Sequence, residues 1–133
     1  MSKNKNKKIK VEMKDLFDVK YGNALADLKA MLVQTKAVLH QMLHDEEEPA
    51  PFVSAGQVVG LFWCEVISRV VDRQWDVYFA AKSIEALGKL LPASLTENEE
   101  FTAGFDAVLM GLTGSNKEVL EEMGVRYAPQ EVN

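Results

Sequence analysis

A mainly α-helical domain is the fold this sequence predicts. Two observations carry that expectation. The forty residues between Pro51 and Pro92 contain no proline, and the segment before them, Asn23 to His44, repeats its large apolar residues at steps of three and four. At 133 residues the chain fits one domain, long enough to bury roughly two thirds of its unfolded surface. Its 47% hydrophobic and 26% charged residues are ordinary for a folded protein. The expected architecture is a four-helix bundle-like domain over residues 9–127. A short extended arm or β-hairpin precedes it, residues 1–8 form a disordered basic tail, and residues 128–133 fray.

The tail, Met1 to Lys8, is polar and low in complexity, so it has nothing to bury. Lys8 to Lys14 then alternates, with Ile9, Val11 and Met13 on one side, and Phe17 to Tyr21 alternates again before Gly22-Asn23. A period of two is the signature of a half-buried strand, hence the arm; a helix opening near Asp15 is the competing reading.

From Asn23, a good N-cap residue, the period lengthens. Leu25, Leu28, Leu32, Leu39 and Met42 form one stripe, the seam of an amphipathic helix that wants a helical partner. Asp45 to Glu48 and the prolines at 49 and 51 read as an acidic linker. Ser54 and Gln57 have capping-box spacing for the long apolar run from Val58 to Leu91. That run is one helix or two end to end, the doubtful point lying near Asp72–Asp76. Val59, Phe62, Val66, Val70, Val77, Ala81 and Ile84 share one side; Ile67, Val71, Trp75 and Tyr78 share an adjacent one. Two apolar sides require contacts in two directions. Thr96–Glu99 and Ser115–Glu118 have the same box spacing before two further helices. Phe101, Phe105, Val108, Leu109 and Leu112 point inward from the first, and Val119, Leu120 and Met123 from the second. Gly124 is the expected left-handed C-terminal residue.

Charge is unevenly spread. Residues 1–14 carry six lysines against Glu12, a net of +5, while the other 119 residues carry nine basic and nineteen acidic groups, a net of −10. An acidic body disfavours a broad nucleic-acid face, because phosphate binding needs clustered Lys or Arg. Nucleic acid would be reached only through the tail, by Lys3, Lys5, Lys7, Lys8 and Lys10. No aromatic residue that would stack a base lies in residues 1–16. Cys64 is the only cysteine, which suits a reducing, cytoplasmic setting. The N-terminus lacks the apolar stretch of a signal peptide, and no membrane association is expected.

Chemistry-bearing patterns are few. His40 and His44, at i and i+4, share a helix side and would supply two ligands to zinc or nickel, with carboxylates of residues 45–48 nearby; the plainer reading is two surface histidines at a helix C-terminus. Cys64 sits among Phe62, Trp63, Val66 and Ile67, a setting for a structural thiol rather than a nucleophile. Glu65, Asp72 and Asp76 lie on one flank, but Arg69 and Arg73 interleave with them, which suits mutual neutralisation. No cofactor is expected. The reading that follows is a non-enzymatic protein–protein interaction module (an adaptor, assembly chaperone or inhibitor), homodimeric, with a protein partner. Its expected contacts are Leu25, Leu28, Leu32, Leu39, Met42, Phe62, Trp63, Trp75 and Tyr78. The alternatives are a small helical metal protein or hydrolase built on His40 and His44, and a nucleic-acid-associated protein acting through the lysine arm.

Overall fold

A computed structural model describes residues 2–124, with side chains from residue 21 onward. The chain is mainly helical. Among the described residues there are six helices and no strands: α1 (Ser2–Leu43), α2 (Pro51–Val71), α3 (Val77–Leu90), α4 (Ala93–Thr96), α5 (Glu99–Leu109) and α6 (Gly114–Met123).

The first correction concerns the N-terminus. In place of an extended arm or hairpin over residues 9–21, the backbone is helical without a break from Ser2 to Leu43, and Asn23 lies inside the helix instead of capping it. Each alternating stretch is only five to seven residues long, and the first, with three lysines, Glu12 and Met13, is built largely of good helix formers. The helical period set by Tyr21, Ala24, Leu28, Met31, Leu32 and Leu39 continues through them. The disordered tail expected over residues 1–8 is likewise helical from Ser2. The ends of the expected domain and frayed terminus, residues 125–133, lie outside the described residues.

The long apolar run is two helices. α2 starts at Pro51, three residues before the expected box. Proline is favoured at the first helical position because its fixed φ suits the helix and its missing N–H would have no partner there. Ser54 does not cap. Its hydroxyl donates to Glu48 Oε1 at 3.1 Å, and its amide bonds the Ala50 carbonyl at 3.0 Å. α2 ends where Arg73 takes a left-handed conformation, φ 62°, and the Gln74 and Trp75 amides turn back to the Arg69 carbonyl at 2.8 and 3.2 Å. Asp76 then opens α3, its Oδ1 accepting the Phe79 amide at 2.8 Å. Asn98, not Thr96, caps α5, accepting the Phe101 amide at 3.1 Å. Thr113 precedes α6, and Gly124 closes it at φ 66° as the sequence predicts.

α2 is the hub, in contact with α1, α3, α5 and α6. Its closest neighbour is α5. A Cβ placed at Gly56 would sit 2.0 Å from the Phe101 carbonyl oxygen, and one at Gly104 would sit 2.1 Å from that of Val53. Gly60 packs against Val108 in the same crossing. The two backbones touch, which only residues without a Cβ permit. Around this crossing Trp63 meets Phe105 edge-on, 5.0 Å between centroids, and Val66, Ile67, Leu87 and Ala80 are fully enclosed. Ser83, the buried polar side chain, donates its hydroxyl to the Phe79 carbonyl at 2.8 Å, so its burial carries no unsatisfied group. By length and composition alone α2 is apolar enough to cross a membrane. Its buried residues, among them Ala55, Val59, Phe62, Trp63, Val66 and Ile67, form the core of the fold.

Candidate interaction surface

α1 and α2 run beside one another, joined by the short segment 44–50, and between them lies an open groove of about 450 Å³. Asp27, Ala30, Met31, Gln34, Thr35 and Val38 line it from α1, and Val58, Leu61, Phe62, Glu65 and Arg69 line it from α2. Both sets recur at three- and four-residue steps, so each is one continuous side of its helix. The core takes the adjoining sides: Leu28 and Leu39 of α1, and Val59 and Val66 of α2, are buried. The groove therefore exposes apolar surface that the fold itself leaves uncovered. Leu61 is 57% exposed and Val38 37%, with Val33 at 70% on the neighbouring side of α1.

One end of the groove is polar. The Arg69 guanidinium is bound by Asp27 Oδ2 of α1 at 2.7 Å and by Glu65 Oε2, one turn earlier in α2. These contacts, the Asp27 hydrogen bond first, raise the Arg69 pKa further above its already high ordinary value against the opposing effect of burial. The same guanidinium lies 5.4 Å over the Trp75 ring, a cation–π arrangement. Two carboxylates share one cation, which leaves this end of the groove with a net negative charge.

A second depression, about 440 Å³, lies at the α2–α3 turn and is lined by Tyr21, Ala24, Val70, Arg73, Trp75 and Asp76, among others. Tyr21 anchors α1 there. Its hydroxyl donates to Asp76 Oδ2 at 2.8 Å, and its ring stacks on Phe79 at 4.9 Å between centroids. Trp75 meets the same Phe79 edge-on at 4.8 Å.

Most of the expected contact residues serve the interior. Leu28, Leu39, Phe62, Trp63 and Trp75 are buried within the chain, and Leu32 and Met42 are partly buried against the same core. Leu25 is half-buried; Tyr78, 59% exposed, stands at the surface with Lys82 5.6 Å over its ring. Val38 widens the apolar stripe of α1 in the sequence, yet neither it nor Leu61 is among the expected contacts, because they differ from their buried neighbours only in side and a single-helix period does not reveal which sides meet.

His40 and His44 are exposed, with ring centroids 4.3 Å apart. His44 Nδ1 lies 2.8 Å from the His40 carbonyl oxygen, a local hydrogen bond at the helix end. Among the described residues no three of His, Cys, Asp and Glu group as a metal site. Cys64 is half-buried, and burial pushes its thiol pKa up, the direction opposite to that of an activated nucleophile. Glu65 and Asp76 are engaged by Arg69 and by Tyr21 with the Phe79 amide respectively. The lysines at 3, 5, 7, 8 and 10 fall on α1 where side chains are not described.

No protein family matches this chain, and no match was found among curated proteins or solved structures.

Proposed function

We propose that this chain is a non-enzymatic protein–protein interaction module, an adaptor, assembly chaperone or inhibitor, that works as a homodimer in the cytoplasm. The observation that supports it most is the α1–α2 groove: two helix sides converge on exposed Leu61 and Val38 over the buried Phe62, with an ion-paired trio at one end. Apolar surface left open between two well-packed helices, rimmed by charge, is what helix-in-groove recognition uses. The polar rim gives orientation, and the apolar floor supplies the binding free energy.

The test is affinity capture from source-cell lysate with the native chain and with Leu61→Arg, each with and without nuclease. The variant places a charge on an exposed position, so the fold tolerates it. The expected result is a stoichiometric protein that survives nuclease and is lost with Leu61→Arg. Partners that vanish with nuclease would move the function to the lysine-rich tail, and partners indifferent to Leu61→Arg would remove the groove from it.

A further inference from the structure

His40 and His44 stand one turn apart at the C-terminal end of α1, both exposed, with ring centroids 4.3 Å apart. His44 Nδ1 lies 2.8 Å from the His40 carbonyl oxygen. A carbonyl oxygen only accepts, so Nδ1 carries the proton, and the neutral ring keeps its lone pair on Nε2. Metal-ligating histidines have this arrangement: one ring N–H donates to a carbonyl or carboxylate, and the other nitrogen binds. The bond also holds the ring against the helix end, so half of a chelate is already oriented. His40, beside it, presents the second imidazole. Two nitrogens each about 2.0–2.1 Å from one ion at a tetrahedral angle lie about 3.3 Å apart. Rings with centroids 4.3 Å apart reach that separation once His40 turns its nitrogen toward the same point.

The charge around the pair favours a cation for a separate reason. The last carbonyls of a helix carry partial negative charge, and α1 ends at Leu43. Asp45, Glu46 and Glu47 follow directly and are exposed, while Lys36, one turn before His40, opposes them.

From these features we infer that His40 and His44 chelate a divalent late first-row transition metal ion (zinc, nickel or copper) at the end of α1. Imidazole nitrogen suits those ions, whereas magnesium and calcium take oxygen. The described residues bring no third His, Cys, Asp or Glu to the pair, so water completes the coordination. The ion is therefore exchangeable, unlike a structural zinc closed in by four protein ligands. The spacing that chelates exists only in the folded helix, so the bound ion stabilises the last turn of α1, where the chain leaves for the acidic segment and α2. Neither histidine lines the α1–α2 groove, and the site stands independently of the function proposed for that groove.

The test is isothermal titration calorimetry of the untagged full chain with zinc chloride and, separately, with magnesium chloride, accompanied by thermal unfolding with and without zinc. The expected result is saturable zinc binding at micromolar concentrations, no magnesium binding, and a Tm that rises with zinc. His40→Gln and His44→Gln, both at exposed positions, should each weaken zinc binding at least about tenfold, because a chelate becomes a single ligand. Ala37→His combined with His40→Gln keeps two histidines at exposed positions but sets them seven residues, about 10.5 Å, apart along the helix. It should bind as weakly as the single variants. A native chain without saturable zinc binding would overturn the site. So would affinity unchanged in His44→Gln, affinity retained by the 37–44 pair, or a Tm indifferent to bound zinc. Magnesium binding as tight as that of zinc would place the ion on the carboxylates of residues 45–47 and overturn it too.

Discussion

Gly56 of α2 lies against the main chain of Phe101 in α5, so close that a methyl group there would fall 2.0 Å from the Phe101 carbonyl oxygen. Gly104 repeats the contact toward Val53, and between them the two glycines hold the most intimate helix pair in the molecule. The obstacle in each case is backbone, which cannot swing aside as a side chain would. Gly56→Ala and Gly104→Ala should each cost about 3 kcal/mol, overpacking outweighing the gain of up to about 1 kcal/mol that alanine brings to a helix. Gly88 in α3 has open space around it. Gly88→Ala should therefore stabilise by about 0.5–1 kcal/mol. Urea unfolding of the three variants checks both signs; destabilisation by Gly88→Ala equal to that of Gly56→Ala would contradict the account.

Asp76 does two tasks at the α2–α3 turn, capping the Phe79 amide with one oxygen and accepting the Tyr21 hydroxyl with the other. Asp76→Ala should cost about 1–2 kcal/mol. Asp76→Asn keeps the capping oxygen but puts an amide NH2 where the Tyr21 hydroxyl is accepted, so it should cost about 0.5–1 kcal/mol, less than Asp76→Ala. Thermal unfolding of the pair separates the cap from mere bulk.

Arg69 ties α2 to Asp27 of α1, with both side chains partly exposed, at 21% and 43%. Solvent screening limits such a pair, so a double-mutant cycle with Asp27→Ala and Arg69→Ala should give a coupling of about 1 kcal/mol that shrinks in about 1 M salt. A coupling near zero, with Arg69→Ala still destabilising, would show that packing of Arg69 on Trp75 and not its charge pair with Asp27 holds the helices together.

Burial raises the Cys64 thiol pKa. The folded chain thus holds the proton to higher pH than the unfolded chain does, and the stability this confers is lost as pH rises past the ordinary thiol value. The native protein should react with a thiol reagent at pH 8 more slowly than the same chain in denaturant, and Cys64→Ala should flatten the alkaline fall in stability. Labelling as fast in the native state would contradict a half-buried thiol.

Much of this fold was legible in the sequence, and the failures have identifiable physical causes. The apolar sides of α2, α5 and α6 and the left-handed Gly124 follow from helical period and end chemistry. The start of α2 was misplaced because Ser54 and Gln57 have box spacing, yet Pro51 supplies an earlier start and Glu48 takes the serine hydroxyl. The break near Asp72–Asp76 was legible only as one of two alternatives, because no proline or glycine marks it and a non-glycine residue, Arg73, adopts the left-handed turn. The α2–α5 crossing was missed because a count of large apolar residues passes over glycines. The spacing of Gly56 and Gly60, one turn apart, was the signal available. The groove was beyond the sequence for another reason: it exists only where sides of two helices converge, and each side alone looks like ordinary core.

The central proposal is that the chain is a homodimer whose self-association depends on the exposed α1–α2 groove around Leu61. Light scattering on the native protein and on Leu61→Arg, at high micromolar concentration, tests it most directly. The account predicts twice the 14.8 kDa of one chain for the native protein and a single chain's mass for the variant. A native protein that scatters as one chain, or a variant that remains a dimer, would contradict it.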